Sequence, residues 1–247
     1  MNRKEIKKQA RERIKPSFGY IFLAIVLWTL VALGSVAVGF IVGPIIVGGA
    51  LAVSKVSYFI DIANGDDERV ADINYIFKGF PKFLRALKLQ VAIVLLSLGF
   101  SLAIGLVSFL LLLIAGYIHY VVYIIMTIIV VLGIIFAVLA FYVFLYFPFY
   151  ILADERYNSY HTKDILKLSF NLGKKHFGEI IVFDLSFILW RIGVALTAGM
   201  LNVYFSPYYQ TAKATFYLER VKGLIDNIAQ PIEPEVVEVK NDSGEAA

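Results

Sequence analysis

LQVAIVLLSLGFSLAIGLVSFLLLLIAGYIHYVVYIIMTIIVVLGIIFAVLAFYVFLYFPFYILA, residues 89–153, contains no Asp, Glu, Lys or Arg. Tyrosines aside, its polar side chains are Gln90, Ser97, Ser101, Ser108, His119 and Thr127. A helix of a water-soluble domain needs a polar face, and this run offers none. About 20 apolar residues span a bilayer core, so the stretch crosses a membrane and returns. Composition points the same way. Hydrophobic residues fill 60% of the 247 positions and charged ones 17%, against roughly 45–50% and about 25% in ordinary domains. The chain reads as an all-α, polytopic membrane protein. Cysteine is absent, which removes disulfides, thiolate nucleophiles and Cys-based metal sites together.

Upstream, residues 1–16, MNRKEIKKQARERIKP, carry seven Lys/Arg against two Glu. Ile6, Ala10 and Ile14 recur at helical spacing, which predicts a basic amphipathic helix lying on anionic lipid. Each Lys or Arg near such a surface contributes about 1 kcal/mol. Pro16 should end this helix, because the residue before a proline is pushed out of the α region. The apolar stretch 18–43 that follows is too long for the roughly 7–15-residue core of a secretory signal. Gly43-Pro44 marks a turn, and a less uniform segment containing Lys55 runs to residue 62. Asn64-Gly65-Asp66-Asp67-Glu68 is a loop, followed by an amphipathic stretch with Ile73, Ile76, Phe77 and Phe80 at helical spacing.

Downstream of the long run, residues 154–176 form a second polar connection with its own amphipathic stretch, Ile165, Leu168 and Leu172. Two more apolar segments, 177–199 and 204–221, precede an acidic tail at 223–247 that is expected to be disordered. Three units share a pattern: a basic amphipathic lead-in, a Phe inside the first segment, a turn, and a second segment closing on a carboxylate. Phe18-Gly19 matches Phe177-Gly178, and Lys55-Val56-Ser57-Tyr58-Phe59-Ile60-Asp61 matches Lys213-Ala214-Thr215-Phe216-Tyr217-Leu218-Glu219. The middle unit opens Lys82-Phe83 and closes Ile151-Leu152-Ala153-Asp154. The expected architecture is therefore six transmembrane helices in three hairpins, 17–62, 83–154 and 177–222. In the long middle unit the turn falls at its midpoint, Gly116-Tyr117-Ile118-His119-Tyr120. Each arm would be about 50 Å long at 1.5 Å per residue, against a hydrocarbon core of roughly 30 Å. Tilt, kinks or protrusion must absorb the excess.

Of 23 Lys/Arg, seven lie in 1–16, five in 61–88, five in 153–175 and three after 219. The turns near 40–45, 115–121 and 198–206 have none. The positive-inside rule then places both termini and both polar connections in the cytoplasm of a bacterial cell whose plasma membrane the chain crosses.

In these pieces the chain resembles an uncharacterised family of bacterial integral-membrane proteins, domain of unknown function family 975. The resemblance rests on Met1-Asn2-Arg3-Lys4-Glu5-Ile6-Lys7-Lys8-Gln9-Ala10, Gly43-Pro44, Ala63-Asn64-Gly65-Asp66 and Phe77-Lys78-Gly79-Phe80. It continues through Ile151-Leu152-Ala153-Asp154, Leu185-Ser186-Phe187-Ile188-Leu189-Trp190 and Pro207-Tyr208-Tyr209. The segment 151–177 also looks like the membrane portion of some glycerophosphodiester phosphodiesterases, without their catalytic domain. The resemblance implies membrane location and no defined activity.

Ionisable residues inside a membrane are costly and mark function by default. Lys55, Asp184, Arg191 and Lys213 are the candidate intramembrane polar centre, lining a path for an ion or amphipathic substrate; the competing reading is a structural ion pair or side chains snorkelling to the interface. Tyr117, His119, Tyr120 and Tyr123 form a candidate extracytoplasmic tip. The histidines His119, His161 and His176 lack metal-ligand spacing, and neither a Gly-rich phosphate loop nor a serine nucleophile elbow is present. The sequence thus predicts no enzyme, cofactor, metal or nucleic acid. Its expected partners are the bilayer, anionic lipid at the N-terminal helix, and a membrane protein or second copy. The leading expectation is a scaffold or accessory protein; the alternative is a small transporter or permease for an ion, lipid or amphipathic peptide.

Overall fold

One stripe explains the first helix. Ile6, Ala10, Ile14, Ser17, Ile21, Ala24 and Trp28 follow one another every three or four residues, and all are buried. In the computed structural model, which describes residues 3–118, 120–154, 157 and 159–222, they lie on a continuous helix α1, Arg3–Val38. The break expected at Pro16 does not occur. Proline's fixed φ suits a helix; what it forfeits is the bond its missing N–H would have made to the carbonyl four residues back. The unbroken buried stripe on both sides of Pro16 outweighs that loss. The same burial corrects the interfacial reading of Ile6, Ala10 and Ile14: their stripe packs against protein, while the flanking Arg3, Lys4, Lys8, Arg11, Arg13 and Lys15 face outward.

A turn at residues 39–41 leads into α2 (Val42–Asn64), which ends on Gly65 in the left-handed conformation, φ 82°. The short α3 (Asp67–Ala71) is capped by the Asp66 carboxylate, which accepts the Arg69 N–H. The amphipathic helix expected around Ile73–Phe80 is instead two 3₁₀ turns, Asn74–Phe77 and Phe80–Lys82. The chain is pinned there to its neighbours: the Trp28 indole N–H donates to the Ile76 carbonyl at 3.0 Å, and the Gly79 N–H donates to Ser54 Oγ at 3.0 Å.

Next come α4 (Phe83–Ile118) and α5 (Tyr120–Phe144), which pack along each other. The boundary between them falls where the midpoint of the run placed it. The second arm is not one helix: it bends at residues 145–147 before α6, Pro148–Ala153. Between Val91 and Tyr142 only Ala115 and Val130 are buried among the described residues. Away from the contact between the two helices, the apolar side chains here point outward.

The chain returns through α7 (Thr162–Lys175), whose Ile165, Leu168 and Leu172 are buried as their spacing predicts. Then follow α8 (Phe177–Leu185), α9 (Ile188–Leu196) and α10 (Asn202–Phe216), the last continued by a π-helical turn, Tyr217–Lys222. This region overturns the expectation of six spans. Among the described residues four stretches are long and apolar enough to cross a membrane: Arg3–Ala37, Val42–Asn64, Asn74–Tyr117 and Tyr120–Ala153. The segment expected at 177–199 is broken at Ser186–Phe187. The one at 204–221 carries Ser206, Gln210, Thr211, Lys213 and Thr215 and packs on α1 and α2. No strand occurs among the described residues. The acidic tail lies outside them.

The core forms where α1, α2 and α10 meet, with α6 and the start of α4 against α2. Gly49 of α2 sits directly on α4: a Cβ built there would lie 2.5 Å from the Ala86 carbonyl oxygen. Gly49 stands near the start of α2 and Ala86 near the start of α4. The two helices therefore share only a short register, and α4 runs on well past the α1–α2 turn.

Candidate functional site

The break between α8 and α9 places Asp184 at a helix end facing two aromatic helices. Its Oδ2 accepts the Tyr142 hydroxyl at 2.8 Å. Its Oδ1 accepts the hydroxyls of Tyr146 at 3.0 Å and Tyr209 at 2.7 Å. Arg191 lies with its guanidinium carbon 5.4 Å from the Tyr209 ring centre. Lys213 Nζ stands 3.6 Å from the Tyr146 ring centre and 5.5 Å from that of Tyr150. Three of the four expected polar residues are thus gathered by tyrosines that the sequence reading passed over. Tyr142, Tyr146 and Tyr150 recur every four residues on one face of the second arm, and that periodicity was the available signal.

Lys55 takes a different place. It is exposed, with its Nζ 5.8 Å from the Trp28 ring centre. At the tip, Tyr117 is 84% exposed, Tyr120 76% and Tyr123 40%; His119 lies outside the described residues.

The Asp184 cluster opens on a cleft of about 480 Å³. Tyr142, Asp184 and Arg191 share it with Val138 and Leu139 of α5 and with Ile181, Leu185 and Ile188 of α8–α9. The break itself is closed from α1. Lys7 Nζ donates to the Ser186 carbonyl at 2.6 Å and lies 4.2 Å from the Phe187 ring centre. A basic side chain thereby takes a carbonyl that an interrupted helix leaves without an intrahelical donor.

A second polar pocket, about 250 Å³, lies among Ser57, Asp61, Arg69, Lys78, Asp154 and Tyr217. The Tyr75 hydroxyl donates to Asp61 and receives a bond from Lys78 Nζ at 2.7 Å. Arg69 pairs with Asp66 at 2.9 Å and stands 3.9 Å from Asp61. Asp66 first, then Tyr75 and Asp61, raise the pKa of the Arg69 guanidinium above its ordinary value. These charges offset one another, as in a solvated structural network. Among the described residues no group of three His, Cys, Asp or Glu side chains could hold a metal.

A family model described as "Protein of unknown function (DUF975)" matches residues 1–223. The likeness to phosphodiesterase membrane portions has no counterpart in that match. No curated protein and no solved structure matches the chain.

Proposed function

The chain belongs to the DUF975 family of proteins of unknown function, and from that premise we propose that it is a non-enzymatic, multi-pass accessory protein of the bacterial cytoplasmic membrane. It works through lipid and protein partners, with both termini in the cytoplasm. The observation that carries this reading is the α4–α5 pair. Its side chains point outward almost everywhere between Val91 and Tyr142, and none of them is charged. In water such a surface would be an aggregation site; in a bilayer it is the ordinary exterior of a membrane helix. The pair forms a hairpin that crosses the membrane and carries its tyrosine tip to the far side. At its cytoplasmic end the pair is anchored where Lys82 Nζ donates to the Leu152 and Ala153 carbonyls and Arg85 to those of Tyr157 and Tyr160. Beside it stand α2, packed on α4, and α1, packed on α2, themselves long and apolar enough to cross the membrane.

A second reading, a small transporter for an amphipathic compound, is favoured by the gathering of Asp184, Arg191 and Lys213 beside a cleft. Against it, the carboxylate that would have to exchange partners already accepts three phenols.

Placement is directly testable because the chain has no cysteine. Tyr117→Cys should react with a membrane-impermeant maleimide in intact cells stripped of their wall. Lys163→Cys, at an exposed position of α7, should react only after lysis. The reverse pattern would overturn the orientation, and labelling of both in intact cells would overturn the spanning hairpin. Removing residues 110–116 and 121–127 then tests the role. A shortened protein that inserts and fully complements a deletion strain would show that the accessory function does not use the tip.

A further inference from the structure

We propose that the cleft between α5 and α8–α9 is a binding site for one glycerophospholipid with an anionic head. The proposal rests on the reading of the chain as a membrane protein acting through lipid.

The charge balance comes first. Two cations, Arg191 and Lys213, stand in one cluster with one carboxylate, Asp184, and both oxygens of that carboxylate are engaged by tyrosine hydroxyls. Neither cation forms a salt bridge among the described residues: Lys213 is held against a ring face, and Arg191 lies near the Tyr209 ring with its guanidinium also in reach of the Tyr142 hydroxyl, which engages one side of its five-donor fork. A ring face attracts a cation but takes none of its N–H donors in an ordinary hydrogen bond. The cluster therefore keeps a positive excess and donors for a further acceptor at its edge. A phosphodiester supplies the missing negative charge, and the planar fork of Arg191 matches its oxygens. A zwitterionic head would bring its own cation and leave the excess in place.

The cleft's walls supply the second requirement. On α5, Val138 and Leu139 lie one helical turn from Tyr142 on the side toward the tip; Ile181, Leu185 and Ile188 face them. Beyond them α5 continues with Val131, Leu132, Ile135 and Phe136, all exposed. A head held at Arg191 can thus lay its acyl chains along α5 toward the tip, over unbroken apolar surface. The volume, about 480 Å³, falls within the range of small-molecule sites and takes a head with the first part of its chains.

Depth is the third. The Ser169 hydroxyl of α7 donates to the Phe144 carbonyl at 2.7 Å, one turn or less from Tyr142 and Tyr146. Outward from that contact α7 presents Lys163, Lys167, Lys174 and Lys175 to the surroundings. The Asp184 cluster accordingly sits at the level of a polar, lysine-bearing helix, which is the level of lipid heads rather than of chain ends.

The test uses the full chain, purified in a non-ionic detergent and mixed with equal amounts of phosphatidylglycerol and phosphatidylcholine of identical chains. Bound lipid is counted by native mass spectrometry. One phosphatidylglycerol should be retained about tenfold over phosphatidylcholine, the effect of one charge-assisted contact. Arg191→Gln should bring the two to parity, and Val138→Trp, which fills the cleft, should remove both. Lys174→Gln with Lys175→Gln should leave the selectivity intact. Parity in the unaltered protein would overturn the site, as would selectivity that survives Arg191→Gln or vanishes only with the α7 lysines. Arg191 is exposed, so its substitution stands as the test even where Val138→Trp misfolds. Failure here with correct labelling of Tyr117→Cys removes the lipid site and leaves the membrane reading standing; failure of that labelling removes the reading itself.

Discussion

Two neighbouring glycines of α2 should respond in opposite ways to the same added methyl group. A Cβ on Gly49 would lie 2.5 Å from the Ala86 carbonyl oxygen, 2.8 Å from its carbonyl carbon and 3.1 Å from Gln90 Cβ, whereas Gly48 has nothing within 4 Å. The two closest atoms at Gly49 are backbone, so no rotamer change relieves the clash; α2 and α4 must move apart. Overpacking of this kind costs about 1–3 kcal/mol. For a domain of this size each kcal/mol shifts the melting temperature by roughly 2–4 °C, so Gly49→Ala should lower it by about 2–12 °C. Gly48→Ala meets open space and gains helix propensity, up to about 1 kcal/mol, so it should be neutral or slightly stabilising. Thermal unfolding in detergent, followed by the fluorescence of Trp28 and Trp190, reads both. Equal melting temperatures for the two variants would mean that α2 and α4 do not approach at Gly49. The conclusion that α4 extends well past the α1–α2 turn would fall with that contact.

Asp184→Ala removes the acceptor of three phenols and the carboxylate beside two cations, and should cost about 1–3 kcal/mol. Asp184→Asn keeps an oxygen acceptor and should cost roughly half as much in the same unfolding assay; equal losses would deny the hydroxyls their role. Trp28→Phe leaves the Ile76 carbonyl without its indole donor. It should destabilise the chain by about 1–3 kcal/mol and speed amide exchange around residues 74–78 more than elsewhere.

What the sequence disclosed depended on whether the deciding interaction was local. Periodicity found the buried faces of α1 and α7 because a stripe at helical spacing has to be covered. It could not say by what, and the stripe of Ile6, Ala10 and Ile14 is covered by protein rather than lipid. The rule for Pro16 is a statement about one residue's neighbours, and packing along the rest of α1 overrode it. Charges amid apolar residues singled out Asp184, Arg191 and Lys213. Lys55 joined them as a charge within an apolar segment and by the pattern it shares with Lys213, yet its surroundings are set by Trp28. The tyrosines that assemble the cluster were missed because a tyrosine in a membrane segment reads as apolar filler until its hydroxyl has an acceptor. Helix count failed for a similar reason: apolar content marked 177–199 as a span, while the break at Ser186–Phe187 depends on contacts from distant helices.

The segments that close the three sequence units lie side by side. α2 packs against both α6 and α10. Tyr217, just after α10, lies 5.1 Å from Tyr150 and 6.2 Å from Phe147 between ring centres. Asp61 and Asp154, the closing carboxylates of the first two units, line one pocket with Tyr217. The opening members diverge: α1 and α4 are each 36 residues long, whereas the third unit opens with the nine residues of α8 and then breaks. That break is tolerable because another unit repairs it. Lys7, carried into place by the unbroken α1, takes the Ser186 carbonyl, and Phe187 packs under its ammonium and against Tyr208 and Tyr209. A basic N-terminal helix that ended at Pro16 and drifted onto the lipid surface could not hold that carbonyl. The continuity of α1 and the interruption of the third unit thus meet at one contact, two residues from Asp184.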